Sequence, residues 1–193
     1  MADDVIEDRM EGALGIVGSK VIEASEDYLE TDDPDLFLGD ARLQTLYVRR
    51  DLVNRGELIA WAKGQGIEVR KPDELHVTII YSRTPVDWLK MGQDCLGHDD
   101  ELKVSAGGPR YMDVLGPPGA EDTLVLSFAS SQLSWRHESL KRGGCETSYP
   151  EYQAHVSLMQ GERGALDEMV KRVVPYRGEL VFGPEIFEPT KTD

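Results

Sequence analysis

Two stretches of the chain alternate polar and apolar positions in the same way. They are Glu74 to Tyr81 (ELHVTIIY) and Gln153 to Met159 (QAHVSLM). Side chains along a strand point alternately to opposite faces, so each stretch predicts a strand with one polar and one apolar face. In the first, His76, Thr78 and Ile80 share a face and Leu75, Val77 and Ile79 share the other. In the second, His155 and Ser157 stand opposite Val156 and Leu158. The chain thus makes one device twice, an imidazole and a hydroxyl two residues apart on a strand with an apolar back.

The remaining pattern places these strands in a larger frame. Leu43 to Arg50 reads as a strand, with Leu46 and Val48 alternating with Tyr47 and Arg49. Asp51 is a suitable cap for a helix through about Gly64, with Leu52, Ile59 and Trp61 toward its buried side. Pro85 is expected to open a short helical turn carrying Trp88 and Leu89, followed by an exposed loop over 92–100. Leu102 to Ala106, Tyr111 to Leu115 and Thr123 to Ala129 read as three strands punctuated by Gly/Pro turns. Ser130 or Ser131 caps a helix to Lys141, which Gly143-Gly144 stops. Ala165 to Val173 predicts a helix and Gly178 to Phe182 a last strand. Helix and strand follow one another around both histidine strands, which predicts an α+β fold of two lobes facing across a cleft.

Upstream, residues 5–30 mix apolar and acidic residues at roughly helical spacing, weakened by Gly12, Gly15 and Gly18. Thr31 to Asp40 (TDDPDLFLGD) reads as a linker. The expected division is an acidic N-terminal arm, 1–40, and a domain over 41–193. The arm is open to two readings, a partner-binding or oligomerising segment and a solvated extension.

Charge sharpens that division. The net charge is −15, and residues 1–40 carry 13 Asp/Glu against Arg9 and Lys20, a net of −11 that leaves the rest near −4. The domain has no broad basic face of the kind that tracks duplex DNA or long RNA, and a small anionic ligand needs only a local positive pocket. At 193 residues there is material for one good core. No apolar run is long enough to span a membrane and no secretory signal opens the chain, so a cytoplasmic protein is expected. Cys95 and Cys145 lack metal-ligand spacing and read as reduced thiols.

The repeated device suits phosphoryl chemistry. One imidazole takes a proton from a nucleophile while the other gives one to a leaving oxygen, and histidine does both near neutrality. Two hydroxyls donate to the phosphoryl oxygens where charge gathers. That chemistry requires neither a metal nor another cofactor. A single His-x-Thr is common, but two of only four histidines fall in matching contexts 79 positions apart. The other two read differently: His98 as a surface residue in an acidic loop, and His137 as a structural histidine near Ser134 and Leu140 on its helix.

These motifs resemble the 2H phosphoesterase superfamily, marked by two His-x-Thr/Ser motifs on two related lobes. Longer stretches resemble its branch of phage anti-CBASS phosphodiesterases, which destroy cyclic oligonucleotide second messengers. They are Leu46 to Arg49 (LYVR), Asp73 to Arg83 (DELHVTIIYSR), Leu133 to His137 (LSWRH), Tyr149 to Leu158 (YPEYQAHVSL) and Phe182 to Pro189 (FGPEIFEP). Ala154 stands where the pattern has proline, and Ser157 keeps the hydroxyl of a threonine.

The resemblance implies antiparallel sheets facing across a central cleft with helices outside. It also implies metal-independent cleavage of messengers such as 3′,3′-cyclic GMP-AMP in the host cytoplasm, against CBASS defence. His76, Thr78, His155 and Ser157 would be catalytic. Tyr47 would stack a base, or be plain core. Glu185 would accept from a purine amino group, with Glu188 as the competing choice. Arg49 and Arg83 are open to phosphate attraction or a solvated role. Two alternatives remain. One is a 2H enzyme acting on RNA ends or 2′,3′-cyclic phosphates; the other is a sponge or virion-associated module that binds messengers without turnover. Which histidine is the base, the preferred ring and the oligomeric state are left open.

Overall fold

The structure is a computed structural model and describes residues 43–92, 101–116, 121–149 and 151–191. The expected arm and linker over 1–40, Cys95, His98 and most of the expected 92–100 loop lie outside the described residues. Seven strands and three helices follow in the order β1 (Leu43–Leu52), α1 (Arg55–Gly64), β2 (His76–Asp87), β3 (Leu102–Val104), β4 (Arg110–Leu115), β5 (Asp122–Phe128), α2 (Ser131–Arg142), β6 (His155–Gly161), α3 (Arg163–Arg172) and β7 (Leu180–Glu188), with a short 3₁₀ turn at Pro72–Glu74 before β2. The fold is α+β, and every strand pairing is antiparallel.

The two expected sheets are the halves of one sheet, ordered β3-β7-β1-β2-β6-β5-β4. The halves meet at one residue pair, Val77 opposite Val156. Elsewhere β2 and β6 diverge, which opens a cleft on the polar face while the apolar face stays closed. The closed side is tight: Phe128 of β5 stacks on Phe182 of β7 with ring centroids 5.7 Å apart, although three strands separate β5 from β7 in the sheet. Such contact requires a strongly curled sheet. Val77, Val156 and Phe182 are fully buried, in one cluster with Leu58 and Ala62 of α1, Leu133 and Leu140 of α2, and Leu166 and Met169 of α3. The buried Arg110 closes the far rim by donating to the carbonyls of Val104, Ser105, Tyr176 and Gly178.

Three element boundaries differ from the sequence reading. The first helix starts at Arg55 because Asp51 and Leu52 stay in β1, opposite His76 and Phe182. Asn54, at the helix entrance, uses its side chain across the chain instead, donating to Glu179 O and accepting from Val181 N. The turn expected at Pro85 begins later, since β2 runs through Pro85 to Asp87. The last strand likewise runs through Pro184 to Glu188. Both prolines sit where the register slips, between the Leu46–Ser82 and Gln44–Val86 pairs and between the Leu52–Phe182 and Arg50–Glu185 pairs. A bulge asks no ladder hydrogen bond of the proline nitrogen.

Joining the halves through the Phe128–Phe182 stack makes Phe182 central to stability. Phe182→Ala is expected to cost about 3–5 kcal/mol in denaturant unfolding. A loss below about 1 kcal/mol would show that the stack does not hold the curl.

Candidate active site

Each histidine is the first residue of its strand, and the two settings repeat in detail. His76 Nδ1 lies 2.6 Å from the carbonyl of Glu74, and His155 Nδ1 lies 2.8 Å from that of Gln153. A carbonyl only accepts, so Nδ1 carries the hydrogen in both rings and each Nε2 presents a lone pair. The carbonyls between are also taken, Leu75 O by Leu52 N and Ala154 O by Phe128 N. The anchoring residues are themselves fixed: Glu74 pairs with Lys71, and the Gln153 amide donates to Ser127 Oγ and Tyr111 Oη.

The Val77–Val156 bridge fixes how the two devices meet. Continuing the antiparallel register one residue past the bridge places His76 on the side of Ser157 and Thr78 on the side of His155. Burial lowers the pKa of both rings from the ordinary 6.5, and the His76 charge lowers that of His155 further. Both imidazoles are neutral at pH 7 as a result.

Immediately after each hydroxyl the strand bulges. Thr78 is opposite Arg49 and Ile80 opposite Val48, which leaves Ile79 extra. Ser157 is opposite Val125 and Met159 opposite Leu124, which leaves Leu158 extra. The bulge corrects one expectation: Ile80 does not share the face of His76 and Thr78. It is 2% exposed on the apolar side, and Tyr81 takes its place on the polar face, opposite Tyr47. The doubled apolar residues Ile79-Ile80 and Leu158-Met159 are the trace of this in the sequence.

A cavity of about 1060 Å³ opens on this face and is lined by Tyr47, Thr78, Tyr81, Arg83, His155 and Ser157 among others. His76 stands behind Tyr47, whose hydroxyl donates to His76 Nε2 at 2.8 Å and lies 3.3 Å from Thr78 Oγ1. Burial raises the Tyr47 pKa, which keeps that hydroxyl a donor. Its ring meets His76 and Tyr81 edge-on, and Tyr81 is the more open ring of the pair, at 40% exposure. Arg83 makes no ion pair among the described residues and lies over the Tyr81 ring at 5.9 Å. Arg49, by contrast, is held by Asp51 and Glu188.

The structure does not bring Glu185 to this cavity's lining. Arg136 of α2 grips both its carboxylate oxygens, at 2.9 to 3.1 Å, and Arg50 lies 3.5 Å away. Glu188 is committed to Arg49. No local signal in the sequence announces a partner 49 positions distant. His137 departs from its expected partners too: it is buried and binds the Ile79 carbonyl, and Tyr152 binds that of Thr78. Cys145 is a buried thiol pushed up to about 11 by burial and touches Met91. Among the described residues, no three His, Cys, Asp or Glu side chains converge in a metal-binding group, and no helix is long and apolar enough to cross a membrane.

Fold and site together define an α+β protein in which two strand-borne histidine–hydroxyl pairs meet across a single backbone bridge. Residues 44–193 match the family described as Anti-CBASS protein Acb1, and the chain belongs to that family. It is 50% identical over 153 residues to the Anti-CBASS protein Acb1 of Sphingomonas paeninsulae, covering 78% of this chain and 24% of that protein. It is 49% identical over 150 residues to the protein of the same description from Caulobacter sp. (strain RHG1), covering 77% and 23%. The chain thus spans about a quarter of the length of these curated relatives. Among solved structures, E. coli LigT complexed with 3′-AMP is similar at 16% identity and a TM-score of 0.44, covering 77% of this chain and 96% of that one.

The lowered imidazoles give stability a defined pH dependence. Unfolding returns both to their ordinary pKa, so below about pH 6.5 the unfolded chain takes up protons that the folded chain refuses. Stability is full above that pH and is lost as pH falls toward the folded values. The thermal midpoint should drop below about pH 6.5, and less steeply when both histidines are replaced by alanine. Parallel pH curves for the two proteins would contradict the buried, neutral pair.

Proposed function

We propose that this chain is a phosphodiesterase that opens small cyclic oligonucleotides such as 3′,3′-cyclic GMP-AMP without a metal, against CBASS defence. The observation that carries this is a pair of imidazoles of the same tautomer, each two residues from a hydroxyl, on strands joined at Val77–Val156. Membership of the anti-CBASS family supports the choice of messenger.

In the proposed reaction the ribose 2′-oxygen attacks the adjacent phosphorus and the bond to the 5′-oxygen breaks. One of His76 and His155 receives the 2′-hydroxyl proton on Nε2. The other, protonated on Nε2, gives its proton to the departing 5′-oxygen. The products are a 2′,3′-cyclic phosphate and a free 5′-hydroxyl, and water opens the cyclic phosphate with the roles reversed. Thr78 and Ser157 donate to the non-bridging oxygens. His155 Nε2 has no partner among the described residues, whereas Tyr47 must release His76 Nε2 before it serves. Tyr47 and Tyr81 form the aromatic wall for a base, and Arg83 supplies the uncommitted positive charge for a phosphate. Glu185, gripped by Arg136, stays outside base recognition in this scheme.

Purified protein incubated with 3′,3′-cyclic GMP-AMP in EDTA should give linear phosphorylated products by chromatography and mass analysis. His76→Ala and His155→Ala should each slow turnover by about 10²–10⁴-fold. Intact nucleotide with wild type would overturn the substrate assignment. Binding without cleavage would then favour a sponge, and no binding an RNA-end substrate.

A further inference from the structure

The bulge at Ile79 leaves two consecutive carbonyls of β2 seeking donors just where β6 has diverged. In a regular strand, successive carbonyls point to opposite edges and meet different neighbours. Here Thr78 O accepts from Tyr152 Oη at 2.9 Å, and Ile79 O accepts from His137 Nδ1 at 2.6 Å. The two donors form one body: their rings stack with centroids 4.5 Å apart and planes within 18°. Tyr152 comes from the segment leading into β6, and His137 from the buried side of α2. The stacked pair therefore ties the bulge to both neighbouring elements.

The matching bulge on the other strand is closed differently. Leu158 O accepts from the backbone N–H of Arg70 at 3.0 Å. A main-chain donor does there what side chains do at Ile79. His137 also carries a cost, since its Nε2 is buried without a partner among the described residues. A leucine at that place would avoid it, so what the imidazole contributes is the Nδ1–H bond and the stack.

We infer that His137 and Tyr152 are positioning residues that hold the Thr78 hydroxyl on the catalytic face. Ile79 has no ladder partner of its own, and slippage by one residue across it would carry Thr78 to the apolar side. The clamp prevents that slip by fixing the carbonyl of Thr78 and the carbonyl that follows. Burial raises the Tyr152 pKa well above its ordinary value, so its hydroxyl stays protonated and serves as the donor at any working pH. The inference rests on the phosphodiesterase reading above for its kinetic consequence, and on geometry alone for the clamp.

Tyr152→Phe removes one oxygen and leaves the stack. It should lower kcat for 3′,3′-cyclic GMP-AMP by about three- to tenfold with KM nearly unchanged, because the lost order is felt by the transition state. In a Thr78→Ala background the same change should cost nothing further, since the residue through which it acts is gone. His137→Asn, which keeps a donor near Nδ1, should retain more activity than His137→Leu. Equal losses in the two Thr78 backgrounds, or an unchanged kcat for Tyr152→Phe, would overturn the inference. A second readout does not need turnover: the carbonyl ¹³C shifts of Thr78 and Ile79 should move in Tyr152→Phe and His137→Leu respectively, and unchanged shifts would overturn the clamp. Should wild type cleave nothing while these shifts move, the proposed activity fails and the clamp stands.

Discussion

One backbone bridge, Val77 against Val156, governs both the shape of the sheet and the layout of its polar face. It joins two half-sheets at a point, so they open into a cleft, while Phe128 and Phe182 hold the apolar side shut. Side chains flanking a bridged pair in antiparallel strands meet crosswise. The bridge therefore brings the two devices side by side, His76 with Thr78 on one strand and His155 with Ser157 on the other. The bulges at Ile79 and Leu158 then turn the strands so that their continuations remain buried while Tyr81 joins the site.

The electrostatics of the pair follow from the same packing. Each imidazole is backed by its strand, tied through Nδ1 to the carbonyl two residues earlier, and partly withdrawn from water. Withdrawal disfavours the charged form, and two imidazoles near each other disfavour double protonation. Once one ring takes up a proton below neutrality, the pair holds an acid and a base at once, as the proposed displacement requires. The first device is further engaged by Tyr47, and the second opens freely to the cavity. The sequence repeat thus hides a structural asymmetry.

The strands, helix order and facing of His76, Thr78, His155 and Ser157 were legible because strand periodicity is local. Ser130, which caps α2 through Leu133 N, and Gly144, with φ of +111° after that helix, also signal locally. What was illegible depends on distant partners. Pro85 and Pro184 look like strand stops until a bulge is known to absorb them. Glu185 looks like a free acceptor until Arg136 is found upon it, and His137 looks satisfied within its helix until Ile79 is found 58 positions away. The bulges left a readable trace, a doubled apolar residue after each hydroxyl, that strict alternation overlooks.

The proposed acid–base pair of His76 and His155 is tested most directly by kcat/KM for 3′,3′-cyclic GMP-AMP as a function of pH. With both pKa values below the ordinary 6.5, the profile should be bell-shaped with its maximum on the acid side of neutrality. Each single histidine-to-alanine variant should lose one limb. A profile that is flat across this range, or one that rises to a plateau above neutrality, would contradict the account.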